Sequence, residues 1–348
     1  MENIKIVNLT SQNIVKYKEC FDNNGSPKKL ENLDWQFFQN PVDTDLVGIA
    51  YDDKMDRAAA IYALFGLQFK VGNQSLLGSQ SLDTMTDSNY RGQGLFTVLS
   101  ENVDAKAASS NVVLVFGFPN GNSVQGYVKK RAWQILDPLP FLIKPLKSKY
   151  FTDKIKPLSF LPNINLSWGG YSADKNFKIV EKHEFPDSVN AIWQTFSAAI
   201  NVAVQRDKAY LDWRYIKKPN QDYKIAHCYD NQNKYLGFVV YTVKEKHNGK
   251  IAYIMELMYD LAQPKAGHEL LKYAVSEIKK QNADCILSWS MEHSPNYSAY
   301  KKSFFVNMPE KIRPIELHFG VGCFREDLKS LIFNRNNWYI SYSDSDTV

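Results

Sequence analysis

The peptide LDWQFFQNP at residues 33–41 returns as LDWRYIKKP at residues 211–219, an offset of 178, with Leu, Asp, Trp and Pro identical and Phe37 matched by Tyr215. A second echo follows in the same order. Residues 112–133, VVLVFGFPNGNSVQGYVKKRAW, run parallel to residues 285–305, CILSWSMEHSPNYSAYKKSFF; Tyr127 and Tyr300 stand 173 apart, each ahead of lysines and an aromatic. Two ordered echoes at similar offsets describe one fold written twice, and a duplication of this kind decides the domain count before any element is assigned. The copies are expected at residues 1–145 and 175–348, the latter with a C-terminal tail. The Lys-, Pro-, Ser- and Gly-rich stretch 146–174 is expected to link them. A length of 348 residues agrees with two domains.

Within the first copy, a β-branched stretch at residues 4–9 precedes a helical segment after Ser11 and the Leu33-Asp34-Trp35 helix stopped by Pro41. Alternating runs at 46–51, 58–65 and 76–85 predict consecutive antiparallel strands with turns at Asp52-Asp53 and Gly72-Asn73. Leu95, Val98, Leu99 and Val103 recur at helical spacing, and residues 112–116 predict a buried strand. The second copy repeats the order with strands at 235–243 and 251–258, a helix near 268–280 and a strand at 285–289. The fold class is therefore α/β (α+β): two modules, each a mixed, mainly antiparallel sheet flanked by helices.

Composition excludes several function classes. A net charge of +5 over 348 residues leaves nucleic acid little electrostatic footprint. The four cysteines, Cys20, Cys228, Cys285 and Cys323, show neither CxxC spacing nor a Cys/His cluster, so no metal site and no disulfide framework is expected. The first residues, MENIKIVNLT, lack a leader pattern, and no apolar run reaches the roughly 18 residues that span a bilayer. A cytoplasmic protein without a membrane partner is expected, its oligomeric state left open with a homodimer among the options.

The segment that carries chemistry is DTMTDSNYRGQGLF, residues 83–96, between a strand and a helix. Arg91, Gly92, Gln93, Gly94 and Leu95 place backbone N–H groups and a cation at a helix N-terminus, an arrangement suited to a pyrophosphate. No Lys-Ser/Thr follows, so it is no Walker loop, and the spacing differs from the three-glycine dinucleotide fingerprint.

Here the chain resembles the GNAT (GCN5-related) N-acyltransferase superfamily, whose acyl-CoA motif has the form Arg/Gln-x-x-Gly-x-Gly/Ala after the fourth strand. Arg91, Gly92 and Gly94 match it, while Phe96 stands where the family has a small residue. Downstream, Asn120, Tyr127 and Lys129 fall in register with the family's Asn…Tyr-x-Lys pattern, and Arg131-Ala132-Trp133 replaces its ending with one extra residue. The resemblance implies acyl-CoA as co-substrate, bound by Thr84, Met85, Thr86, Arg91, Gly92, Gln93, Gly94, Leu95 and Asn120. It also implies direct attack of an amine on the thioester, polarised by backbone N–H groups near residues 84–86, with Tyr127 protonating the departing thiolate. A phenol near pKa ~10 can serve a thiol near ~8.5 without being ionised at neutral pH.

In the second copy the corresponding loop, YDLAQPKAGH at 259–268, lacks the glycine motif, so this module is expected to bind the acceptor or to brace the first rather than to hold CoA. Asp83 is a candidate acceptor of the amine proton. All six histidines lie in the second half, which makes His293 and, on a strand, Glu256 further candidates. Lys144, Lys147, Lys149, Lys154 and Lys156 read as solvated linker charges that could also meet phosphates. Trp338-Tyr339 and Asp344-Ser345-Asp346 read as a docked tail or a stacking platform. In architecture and tail the chain resembles tandem GNAT-like acyltransferases acting on nucleotide-linked amino sugars of surface polysaccharides, such as a dTDP-3-amino-3,6-dideoxyhexose, with acetyl or a small hydroxyacyl group such as 3-hydroxybutanoyl as cargo. The alternatives are an aminoacyl-tRNA-dependent tandem-GNAT transferase for peptidoglycan precursors and a non-catalytic acyl-CoA sensor.

Overall fold

The computed structural model describes residues 3–348 apart from 122, 153–156, 158–159, 161, 167–170, 247, 311–312, 314 and 346. Two compact units result, neither of them one continuous segment. The first comprises Met1–Pro138, Lys217–Asn220 and Leu317–Asn337; the second comprises Leu139–Ile216, Gln221–Glu316 and Trp338–Val348.

The first unit runs β1 (Ile4–Asn8), α1 (Ile14–Asn23), α2 (Leu30–Phe37), β2 (Val47–Asp52), β3 (Arg57–Val71), β4 (Gln74–Thr86), α3 (Leu95–Ser109), β5 (Leu114–Gly117), α4 (Val124–Arg131) and β6 (Gln134–Ile135). The central strand β3 is buried on both faces, which explains its nearly unbroken apolar sequence AAAIYALFGL. Its hairpin to β4 turns through Gly72 at φ +60°, the left-handed conformation that a two-residue hairpin loop requires. Tyr17, Phe21 and Leu33 of α1 and α2 pack on Ile49, Ile61 and Ala63. On the opposite face, Leu95, Leu99 and Val103 of α3 and Tyr127 of α4 pack on Ala60, Tyr62 and Leu64.

The second unit holds β7 (Phe141–Pro145), α5 (Lys149–Thr152), β8 (Phe177–Glu181), α6 (Val189–Phe196), β9 (Val202–Val204), α7 (Lys208–Leu211), β10 (Lys224–Asp230), β11 (Tyr235–Lys246), β12 (Gly249–Tyr259), α8 (Pro264–Lys280), β13 (Cys285–Trp289), α9 (Tyr297–Lys302) and β14 (Val306–Asn307). The chain then returns to the first sheet as β15 (Gly320–Cys323), followed by α10 (Lys329–Ile332). Leu270, Leu271, Ala274 and Ile278 of α8 bury against Ala252, Ile254 and Leu257 of β12.

The two sheets share one topology. The first has the path β1-β2-β3-β4-β5-β15-β6, the second β8-β10-β11-β12-β13-β7-β14. Along each path every neighbour is antiparallel except one parallel pair, β4 with β5 and β12 with β13. Each also carries a bulge at the same place: Leu82 is the extra residue between Ser81 and Asp83, and Met255 the extra residue between Ile254 and Glu256. Asp83 stands 20 residues after its partner Ala63, whereas Glu256 stands 16 after Val240, so the change of offset between the two sequence echoes arises in this hairpin.

The expected boundary at 145/146 is corrected by the pairing. Phe141–Pro145, assigned to the first copy from sequence, lies between β13 and β14 of the second sheet, and β15 takes the equivalent position in the first. A five-residue apolar strand satisfies its backbone at either sheet, and only the tertiary pairing decides which. The lysines at the start of the expected linker are likewise not solvated charges. Lys144 Nζ donates to the Ser303 carbonyl at 2.9 Å and Lys147 Nζ to that of Asn282 at 2.7 Å. Lys154 and Lys156 lie outside the described residues. Among the described residues no helix is long and apolar enough to cross a membrane.

Candidate active site

The parallel pairing of β4 with β5 covers only Ser79 to Ser81 against Val115 to Gly117 and stops at the Leu82 bulge. Beyond the bulge, side chains alternate between the two faces of the sheet. Thr84 sits opposite Tyr62 on the α3–α4 face, and Asp83 opposite Ala63 on the α1–α2 face.

On the first face, the Tyr127 hydroxyl lies 3.2 Å from both Ser81 Oγ and Thr84 Oγ1, and Ser81 Oγ lies 3.2 Å from the Tyr62 hydroxyl. Burial raises the Tyr127 pKa, and the hydrogen bonds to Ser81 and Thr84 only partly offset it, so the phenol is protonated at neutral pH. Its ring is gripped by Trp133, with centroids 4.5 Å apart, and edge-on by Phe96 at 6.1 Å. Phe96 therefore points into the aromatic cluster rather than across the loop, which explains how a large residue is accommodated there. Arg131 closes the cluster: its guanidinium lies 4.5 Å from the Tyr62 ring centroid and 5.5 Å from that of Tyr127, and it forks onto Asp104. Burial pushes the Asp104 carboxyl up and the Arg131 guanidinium down, but the forked contact opposes both and keeps the pair ionised. Neither Arg131 nor Asp104 was singled out as a site residue from sequence.

The loop after β4 is built to hold a shape. Asp87 caps it, accepting from the Asn89 backbone N–H at 2.9 Å and from Arg57 at 2.7 Å. Burial raises the Asp87 pKa, but the Asn89 N–H and the Arg57 charge outweigh it and hold the carboxyl below the usual range. Gly92 and Gly94 adopt φ +79° and +75°, and a Cβ on either would meet nothing within 4 Å. Their need for glycine is thus conformational, and the space beside them is open. Gly94 is the N-cap of the 15-residue α3, where backbone N–H groups lack intrahelical acceptors. Arg91, Gly92, Gln93 and Gly94 are exposed, while Leu95 anchors the helix in the core. Asn120 accepts from Ser123 N at 3.1 Å and Ser123 Oγ at 3.2 Å, which orders the turn into α4 and so places Tyr127.

A protein-family model described as an acetyltransferase (GNAT) domain matches residues 11–135. That segment is a GNAT domain. No curated protein matches the chain. Among solved structures it is similar to a conserved protein of unknown function from Enterococcus faecalis V583, a probable N-acyltransferase, with TM-score 0.63, 11% identity and coverage of 93% of this chain and 73% of that one. A GCN5-related N-acetyltransferase from Anabaena variabilis ATCC 29413 gives TM-score 0.63, 12% identity and coverage of 92% and 73%. Saccharomyces cerevisiae N-myristoyltransferase with bound myristoyl-CoA gives TM-score 0.60, 11% identity and coverage of 96% and 85%. At these identities the likeness is one of fold, and it extends over both units.

On the other face of the GNAT domain, Asp83 is buried and accepts from the Tyr17 hydroxyl at 2.8 Å and from Lys28 Nζ at 2.5 Å. Sequence reasoning found Asp83 but not its partners. Met85 packs on the α1–α2 side, and the Thr86 carbonyl accepts from Arg91 Nε at 3.4 Å, so the expected CoA-contact residues 84–86 divide between the faces.

In the second unit Glu256 is fully buried, which corrects its reading as a group open to substrate. Its carboxylate accepts from Arg206 Nε at 2.8 Å, Ser341 Oγ at 2.8 Å, the Leu257 N–H at 3.1 Å and the Tyr339 hydroxyl. His293 Nε2 donates to the Trp338 carbonyl at 2.8 Å. Trp338, Tyr339 and Asp344 are buried, so the tail presents no stacking platform; Asp346 lies outside the described residues. Tyr300 occupies the position of Tyr127 on α9, buried, with its pKa raised by burial. The loop between β12 and α8 has no left-handed glycine and begins the helix with Pro264.

Proposed function

We propose that the protein is an acyl-CoA-dependent N-acyltransferase in which the GNAT domain holds the thioester and an acceptor amine attacks it directly. The observation that supports this most is the Tyr127 hydroxyl held by Ser81 and Thr84 where β4 and β5 part, in the same domain as the glycine loop at the N-terminus of α3. In the proposed course, backbone N–H groups and the α3 terminus bind the pyrophosphate, with Arg91 as counter-charge. The amine nitrogen forms its bond to the thioester carbon as the carbonyl π electrons move to oxygen, stabilised by β4 N–H groups. Collapse of that intermediate breaks the C–S bond; the thiolate takes the Tyr127 proton and leaves as CoA thiol, while Asp83 takes the proton lost by nitrogen. The half-exposed Thr84 hydroxyl connects Tyr127 to water for reprotonation.

For the acceptor, the tandem architecture points to a nucleotide-linked amino sugar, and for the acyl group to acetyl or a small hydroxyacyl. Release of CoA thiol, measured with acetyl-CoA and 3-hydroxybutanoyl-CoA against amino sugars, their nucleotide-linked forms and amino acids, tests this reading. Amine-dependent release that Tyr127→Phe abolishes is expected. Tight acyl-CoA binding without release to any amine would overturn it.

A further inference from the structure

The duplication supplies an internal comparison at the acceptor face. Lys28 and Arg206 are separated by the same 178 residues as the two LDW motifs, and each lies five residues ahead of its Leu. Each cation pairs with the carboxylate that follows the bulge of its own sheet: Lys28 with Asp83 at 2.5 Å, Arg206 with Glu256 at 2.8 Å. Each carboxylate also accepts from a tyrosine hydroxyl, Tyr17 in the first unit and Tyr339 in the second.

What differs is what else these groups hold. In the second unit a hydroxyl and a carboxylate from the C-terminal tail complete the cluster: Ser341 Oγ donates to Glu256 Oε2 at 2.8 Å, and Asp344 Oδ2 pairs with Arg206 Nη2 at 2.6 Å. Arg206 is fully buried there. In the first unit 28% of the Lys28 side chain is exposed, and its ammonium has donors beyond the one spent on Asp83. The tail thus displays, on the second unit's own copy of the pair, one donor placed on the acid and one carboxylate placed on the base.

We propose that the acceptor of the first unit carries a carboxylate close to its amine, with the amine on Asp83 and the carboxylate on Lys28, which makes Lys28 the residue that selects amino-acid-like acceptors. The inference rests on the N-acyltransferase reading and names its substrate class. A compact spacing follows from the comparison, because Ser341 Oγ and Asp344 Oδ2 both lie within reach of the single Arg206 Nη2, at 3.5 and 2.6 Å. An α- or β-amino acid, or an amino-sugar acid, has that spacing; a neutral amino sugar lacks the anion.

The test measures kcat/KM for matched acceptors, an amino acid and its amide, and for a nucleotide-linked amino sugar without a carboxylate, in the wild-type full-length protein and in Lys28→Gln and Lys28→Arg. The wild type is expected to prefer acid over amide by at least about ten-fold, the worth of one charge-assisted contact. Lys28→Gln should bring that ratio near one and Lys28→Arg should preserve it. A general loss of fold or of Asp83 positioning lowers both rates and leaves the ratio unchanged. Equal use of acid and amide by the wild type, a ratio that survives Lys28→Gln, or preference for the uncharged sugar each overturns the inference while leaving amine acylation standing. Absence of transfer to every amine overturns both.

Discussion

Tyr127 is kept a proton donor by its surroundings, because burial lifts its pKa and two hydroxyls fix its direction. Tyr127→Phe should lower kcat by about 10²–10⁴-fold, the usual worth of a general acid, with acyl-CoA affinity nearly unchanged in equilibrium titration. Asp87 makes the opposite case. Its folded pKa lies below the unfolded value near ~3.9, so its contribution to stability is complete above that value and is lost as pH falls through the folded pKa. The difference in Tm between wild type and Asp87→Asn should therefore be largest near neutrality and shrink below about pH 4. In the second unit, Glu256→Gln leaves Arg206 and Asp344 with an unbalanced buried charge. Breaking a buried pair of this kind costs about 3–5 kcal/mol in denaturant unfolding.

At the scale of elements, the loop into α3 is the part of the site most legible in sequence. Gly92 and Gly94 have no steric neighbours and are required only for their left-handed φ, a demand a sequence states openly. Gly94→Ala should cost about 1 kcal/mol in thermal unfolding from backbone strain alone. Arg91→Ala should raise the KM for acyl-CoA about ten-fold and leave kcat nearly unchanged. The strands were legible too, because β3, β11 and β12 are long and almost wholly apolar. The pairing of Asp83 with Lys28 was not, since 55 residues separate them and Lys28 reads alone as a loop charge. One signal was present: the repeat extends five residues ahead of LDW, where Lys28 meets Arg206, though a cation matching a cation in two loops carries little information until both are seen to hold a carboxylate.

At the scale of the whole molecule, two sheets of one topology each borrow a strand from beyond the segment that supplies the rest of them. Sequence periodicity revealed the duplication but not the exchange, because β7 and β15 are short and their pairing is set by tertiary contact. A fragment ending at Pro138 is expected to fail as a folded monomer by circular dichroism and size-exclusion chromatography, with β5 left as an open edge. Adding residues 317–337 through a flexible connection should restore order.

The exchange also sets a timetable for synthesis. The edge of β5 is complete at Gly117, yet its antiparallel neighbour begins at Gly320. At ~5–20 residues per second, the ribosome needs about 10–40 s to supply that neighbour. Throughout that interval the nascent first domain displays a strand edge waiting for a partner, so this is a protein whose birth calls for a chaperone at its N-terminal half and whose release from the ribosome is the step that closes both sheets.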